Sequence, residues 1–167
     1  MTTNNCYIID TSSLVNLKKN NPIDLFPTVW KKLESLIDDK RLFSPEEVYS
    51  EIKKKDDDLY KWATKVHKKL FKKVTPKQIK IVGDILKEYP SLAHIDKESN
   101  ADPWLIALAI ELKEDRQHSL ESKPIKRIVV TEERARGDRV RIPFVCDKFD
   151  ITAIDVFDMF RTEGWKF

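Results

Sequence analysis

Two apolar stretches end on carboxylates: Cys6-Tyr7-Ile8-Ile9 runs into Asp10, and Ile128-Val129-Val130 runs into Thr131-Glu132-Glu133. Two further acids stand on helical patterns, Glu51 in Val48-Tyr49-Ser50-Glu51-Ile52 and Asp102 directly before Pro103. Hard cations such as Mg²⁺ take carboxylate oxygens and keep several waters, so acids from two strand ends and two helices suit a divalent metal. Paired metals held this way activate a water and stabilise a leaving oxygen, as phosphodiester cleavage requires. The four acids are far apart in the chain and can meet only if the fold sets two strands side by side and brings two helices to their ends.

The elements that would do this are readable. Cys6 to Ile9 has the unbroken apolar character of a central parallel strand, and Ser12 is expected to cap a short helix with Leu14, Val15 and Leu17, ended by Pro22. Trp30, Leu33, Leu36 and Ile37 recur at helical spacing after Pro27. Ser44-Pro45-Glu46-Glu47 reads as a helix start, with Ser44 as N-cap, Pro45 first, Glu47 closing a capping box, and Phe43 and Val48 as its staple. In that register Glu51 lies at the margin of the buried face. A charged joint from Lys53 to Asp58 leads to a helix carrying Leu59, Trp62, Val66 and Leu70; another opens at Thr75-Pro76 with Ile79, Val82 and Leu86 inward. Asp102-Pro103 opens a helix with the stripe Leu105, Leu108, Ala109 and Leu112, and a polar loop is expected from Glu114 to Lys126. A strand at Ile128 to Val130, a short helix with Ile142, Val145 and Phe149, a strand at Ile151 to Ile154 and a helix with Val156, Phe157 and Phe160 close the chain. Strands alternating with helices indicate an α/β sandwich with a mainly parallel sheet, whose working surface lies beyond the strands' C-terminal ends, where Asp10 and Thr131 to Glu133 fall.

Each acid alone also has an ordinary role. Asp10-Thr11-Ser12 reads equally as a strand-to-helix turn, Glu51 as a solvated helix residue, and Asp102 as an N-cap; only the combination favours a site. His67, His94 and His118 lack HxxH or HExxH spacing, which argues against zinc. With three glycines in the chain, there is neither a dinucleotide-binding glycine loop nor a P-loop, and no GxSxG elbow occurs. Arg134, Arg136, Arg139 and Arg141 follow the second acidic strand end, where guanidinium groups would hold phosphates. The competing reading of that cluster is an exposed polar loop.

At 167 residues the chain, 1–167, is read as one domain. Its charged fraction of 35% exceeds the usual value, yet 41% hydrophobic residues and four Trp argue for a folded core. A net charge of +3 is compatible with a polyanionic partner and decides little. Cys6 and Cys146 lie in apolar contexts without CxxC spacing, as buried thiols of a reducing compartment do, so the cytoplasm is expected. No apolar run approaches the ~20 residues that cross a bilayer, and no membrane partner is expected.

Ile8-Ile9-Asp10-Thr11-Ser12, Glu51 in its helix, Ala101-Asp102-Pro103-Trp104-Leu105-Ile106-Ala107 and Val130-Thr131-Glu132-Glu133, in this order, resemble the PIN (PilT N-terminal) domain family over nearly the whole chain. Phe26-Pro27-Thr28-Val29-Trp30 and Gly164-Trp165-Lys166-Phe167 look similar to a PIN subgroup known only as of unknown function. The resemblance implies a three-layer α/β/α sandwich and a Mg²⁺- or Mn²⁺-dependent ribonuclease acting on single-stranded RNA, often the toxin of a toxin-antitoxin pair. It makes Asp10, Glu51, Asp102 and Glu133 the catalytic, metal-binding acids, supported by the Ser12 and Thr131 hydroxyls. The family commonly has Thr-Asn-Asp where this chain has Thr131-Glu132-Glu133; spacing points to Glu133, with Glu132 the alternative.

The expectation is therefore a single-domain, cytoplasmic, metal-dependent endoribonuclease, with RNA as substrate, Arg134, Arg136 and Arg139 on the RNA backbone, and a cognate antitoxin and a second copy of the chain as partners. The competing class is a non-catalytic PIN scaffold that binds RNA or protein. A DNA-directed nuclease is the third reading, separated from the first by the 2′-hydroxyl.

Overall fold

The fold is a five-stranded, all-parallel sheet between two layers of helices, seen in a computed structural model that describes residues 4–55, 57–92, 101–117, 125–134 and 141–167. The strands are β1 (Cys6–Ile9), β2 (Leu42–Pro45), β3 (Phe71–Lys72), β4 (Arg127–Val130) and β5 (Thr152–Ile154), ordered β3-β2-β1-β4-β5. The helices are α1 (Thr11–Asn20), α2 (Pro27–Asp38), α3 (Glu46–Lys55), α4 (Asp57–Leu70), α5 (Pro76–Glu88), α6 (Asp102–Gln117), α7 (Ile142–Lys148) and α8 (Val156–Glu163).

Alternation along the central strands builds two cores, because successive side chains of a strand point to opposite faces. Tyr7 and Ile9 with Ile128 and Val130 pack against α1, α2, α3, α4 and α8, around Leu14, Trp30, Ile52, Trp62 and Met159. Ile8 and Val129 face the other way, onto Ile85 of α5, Leu105 and Ile106 of α6 and Val145 of α7. The three-layer α/β/α arrangement expected of the sequence is thus present. Helix α6 lies against the sheet and α5, and it is buried on nearly every side from Asp102 to Ile110.

The chain runs from β1 outward to β2 and β3, then returns to place β4 on the other side of β1 and continues to β5. Ladder pairs Ile8 with Phe43 on one side, and Ile9 with Val130 on the other. Strand order therefore reverses between β1 and β4, and in open parallel sheets the crevice beyond such a reversal is where ligands sit. Asp10 and Thr131 are the residues that leave those two strands.

Several local expectations are corrected by long-range pairing. Ser44 and Pro45 belong to β2, and the buried Ser44 hydroxyl donates to the Ile9 carbonyl at 2.7 Å, so it caps no helix. Phe43 and Val48 then lie in different cores and cannot form a staple. Ser12 sits inside α1, whose N-cap is Asp10. Ile79 is 57% exposed, and Gln78, Val82 and Ile85 carry the inward face of α5 in its place. Helix α6 extends through Gln117, beyond the point where a loop was expected.

The start read at Thr75-Pro76 holds, and α8 has caps of its own. Thr75 caps α5 through the Gln78 N–H, with Pro76 in the first turn. Asp155 caps α8, which stops at Gly164 with φ 72°, a left-handed conformation that glycine adopts without steric cost. At the opposite end of the sheet from Asp10, Glu163 of α8 accepts from the Tyr7 hydroxyl at 2.6 Å and pairs with Arg41, tying the last helix to β1 and to the start of β2. Burial, then the Glu163 bond, pushes the Tyr7 phenol far up.

Candidate active site

Asp10 leaves β1 into the first turn of α1, and it is only 4% exposed. Its Oδ1 accepts from the Thr11 N–H at 2.7 Å; its Oδ2 accepts from the Ser12 hydroxyl at 2.9 Å and the Thr131 hydroxyl at 3.0 Å. The last bond bridges the strand-order reversal, joining the end of β1 to the end of β4. Ser12 also accepts from the Glu132 N–H at 3.1 Å, so the two strand ends are tied twice.

Glu51 lies on α3 and reaches the same place. Its Oε2 accepts from the Thr11 hydroxyl at 2.6 Å, next in sequence to Asp10, and its Oε1 accepts from the Ala101 N–H at 3.2 Å, next to Asp102. One carboxylate thus holds the start of α1 against the start of α6. Asp102 is buried in the first turn of α6. Glu133 follows Thr131, whose hydroxyl accepts from the Glu133 N–H at 3.2 Å. Hydrogen bonds therefore connect the segments carrying all four acids singled out in the sequence, together with Ser12 and Thr131.

The electrostatics agree with this proximity. The Asp10 carboxyl is pushed up from 3.8 to about 7, first by burial and then by the charge of Asp102, with a smaller push from Glu133; the Ser12 and Thr131 hydroxyls act in the opposite direction. Burial, and then the charge of Glu133, pushes the Cys146 thiol up to about 12, which keeps it protonated and unreactive. Both cysteines are buried.

Two acids are engaged elsewhere. Glu133 Oε2 accepts from the Ile142 N–H at 3.1 Å, at the start of α7, and Glu132 Oε1 accepts from the Val156 N–H at 3.2 Å, at the start of α8. Each long side chain satisfies a helix-start amide that has no intrahelical partner. Among the described residues, no three His, Cys, Asp or Glu side chains are arranged to hold a metal ion. The donor chemistry itself, carboxylates and hydroxyls around a buried acid that another acid opposes, is that of a hard cation such as Mg²⁺ or Mn²⁺.

Arg134 has a side chain 82% exposed and lies 3.7 Å from Asp155. Arg141 precedes α7 without a side-chain cap bond, and Arg136 and Arg139 lie outside the described residues. His67 Nε2 lies 2.8 Å from Glu46 Oε1 and its ring packs, tilted, against Tyr49, a packing role; His94 and His118 are outside the described residues. A concavity of about 1030 Å³ is lined by Val15, Lys18 and Trp62 and includes none of the four acids. A smaller cleft of about 420 Å³ does adjoin them, lined by Thr131, Glu133 and Arg134. Sequence reasoning had no signal for two of its members, Asp158 and Arg161, which look like ordinary polar positions of the last helix.

Residues 7–167 match a family described as Domain of unknown function (DUF4411). The chain belongs to this family. No protein of curated function matches the sequence. Among solved structures, the DUF4411 chain is similar to VapBC-1 from nontypeable Haemophilus influenzae, at 15% identity and a TM-score of 0.50, over 90% of this chain and 97% of that one. At that identity the likeness is one of fold, and the fold is PIN-like: a parallel five-stranded sheet flanked by helices. Among the described residues, no helix is long and apolar enough to cross a membrane.

Proposed function

We propose that this DUF4411 protein is a metal-dependent endoribonuclease of PIN type that cleaves single-stranded RNA, a toxin-like component held in check by a partner protein. The observation that carries the reading is Asp10: a buried carboxyl at the strand-order reversal, pushed up to about 7 by burial and by Asp102. Perturbed carboxyls in such crevices are candidates for function. The PIN motifs of the sequence and the fold shared with VapBC-1 support the same reading. The cytoplasm and a homodimer belong to this proposal as well.

Asp10, Glu51, Asp102 and Glu133 are the residues that would hold Mg²⁺ or Mn²⁺. When bound, such a cation lowers the pKa of a water and offsets the charge growing on the leaving oxygen. The rest falls to the protein. Ser12 and Thr131 fix Asp10 Oδ2 through two hydroxyl bonds, and the Thr11 hydroxyl fixes Glu51 Oε2. Prepositioned carboxylates of this kind lose little orientation freedom when charge must be met. Arg134, Arg136 and Arg139 follow the site in sequence and contact the RNA.

One observation favours the second reading, a non-catalytic scaffold that binds RNA or protein: Glu132 and Glu133 both serve helix starts. The separating experiment incubates the purified protein with single-stranded RNA and with DNA of the same sequence, with Mn²⁺ or with EDTA, alongside Asp10→Asn and Asp102→Asn. Cleavage of RNA with Mn²⁺ only, absent in both variants, is expected. Cleavage that persists in EDTA or in both variants would overturn the proposal, and no cleavage by the parent would leave the scaffold reading.

A further inference from the structure

The cleft of about 420 Å³ begins at Thr131 and Glu133 and runs along the ends of β4 and β5 to the outer face of α8. Among the described residues, its polar lining beyond Thr131 is Glu133, Arg134, Asp155, Asp158 and Arg161. These are arranged as pairs: Arg134 lies 3.7 Å from Asp155, and Arg161 donates to Asp158 Oδ1 at 2.7 Å. Asp155 Oδ1 also accepts from the Asp158 N–H at 2.8 Å, which joins the two pairs into one cluster. Pro143, Ala153 and Ile154 supply an apolar wall beside it.

The pairing of charge decides what such a cleft can take. Among the described lining residues both arginines are already engaged by carboxylates, Arg134 by Asp155 and Arg161 by Asp158, so a phosphate would have to displace an acid from each, whereas phosphate clamps offer their cations unopposed. A neutral, flat group that offers donors and acceptors on one edge meets no such penalty. It can exchange hydrogen bonds with each Arg–Asp pair while its face lies on the apolar wall. The volume falls within the range of small-ligand sites, about 300–1000 Å³.

Among nucleobases, guanine presents the matching edges. Its O6 and N7 are a pair of acceptors that arginine meets bidentately, and its N1–H and N2–H₂ are a pair of donors that one carboxylate can accept together. We propose that this cleft is a base subsite beside the acid cluster, in which Arg134 reads O6 and N7 and Asp158 reads N1–H and N2–H₂ of a guanine next to the cleaved bond. Arg161 positions Asp158 by holding Oδ1, and Asp155 positions Arg134. The inference rests on the ribonuclease reading for its substrate, and it moves Arg134 from the phosphate backbone to a base edge.

The test measures binding apart from chemistry. Short single-stranded RNAs of one length, with a single guanine or with adenine in its place, are titrated against the full chain in EDTA by fluorescence anisotropy, and their cut sites are mapped separately with Mn²⁺. The guanine RNA should bind about tenfold more tightly, the discrimination of one good bidentate pair. Asp158→Asn, which replaces one acceptor oxygen by an amide donor, and Arg134→Gln should each erase that preference, with melting temperatures close to the parent. Equal binding of the two RNAs, or a preference that survives both variants, would overturn the subsite. Guanine-selective binding without any cleavage in Mn²⁺ would sink the nuclease reading and leave the subsite standing; cleavage indifferent to guanine would do the reverse.

Discussion

The Thr131 hydroxyl donates to Asp10 Oδ2 at 3.0 Å and accepts from the Glu133 N–H at 3.2 Å, so one side chain at the end of β4 orients the buried acid at the end of β1 and the turn that carries Glu133. Thr131→Val keeps the shape and deletes both bonds. Each partner is left in a poorly hydrated place, and unmet buried polar groups cost about 1–3 kcal/mol. The urea midpoint of Thr131→Val should fall accordingly, with an unchanged slope. Because a hydroxyl bond favours the ionised carboxyl, Asp10 should also titrate higher in the variant. A midpoint equal to the parent's would show that Thr131 is replaceable packing.

Asp10 makes the metal-free fold sensitive to pH in a defined direction. Its carboxyl is raised to about 7, chiefly by burial and then by Asp102. The folded chain therefore binds a proton more tightly than the unfolded chain, where an aspartate titrates near 3.9. The protonated acid contributes its full stability below about pH 4, and that stability is lost as pH rises through about 7, by up to about 4 kcal/mol. Denaturation in EDTA across this window should show the parent weakening with rising pH and Asp10→Asn holding nearly level. Parallel profiles would mean that Asp10 is charged and compensated throughout.

The sequence made the two sheet-end acids visible because a central strand must be apolar on both faces, so the first polar residue after Ile9 or Val130 marks the strand's end. It made α5 visible because Thr75-Pro76 is a local start signal, and α8 because Val156, Phe157 and Phe160 mark a helix there. Ser44-Pro45 misleads because a capping signature is also local, whereas its strand role depends on pairing with Ile9 thirty-five residues earlier and with Phe71 later in the chain. Strand β3 has two residues, too few to show a period of two. That Glu132 and Glu133 reach the starts of α8 and α7 was equally hidden, since spacing along a strand says which side a residue leaves from and nothing of where a three-bond side chain ends.

Those two glutamates can be told apart by comparing truncation with neutralisation. Glu132→Ala and Glu133→Ala each remove the acceptor of a helix-start N–H and should cost about 1 kcal/mol, as lost caps do. Gln retains an amide oxygen, so Glu132→Gln and Glu133→Gln should recover most of that stability. If Glu133 also serves a cation, Glu133→Gln should still weaken Mn²⁺ binding in calorimetry, while Glu132→Gln binds as the parent does. A larger loss for Glu132→Gln would reverse the assignment of the fourth acid.

The charge of Asp102 opposes the ionisation of Asp10, so a cation that binds between them should stabilise the fold by more than its own contacts suggest. Binding to the folded state alone adds about 2.7 kcal/mol when the free ion is a hundredfold above its dissociation constant. In a domain of this size that shifts the melting temperature by several degrees. Mn²⁺ should raise the melting temperature of the parent at pH 8, where Asp10 is mostly ionised, and should do much less near pH 5, where protons already occupy the acid. Asp10→Asn should melt higher than the parent without metal at the higher pH, because the buried charge is gone, and should gain little from Mn²⁺. A variant that melts below the parent in EDTA, yet responds fully to Mn²⁺, would make Asp10 only the cap of α1, through its bond from the Thr11 N–H.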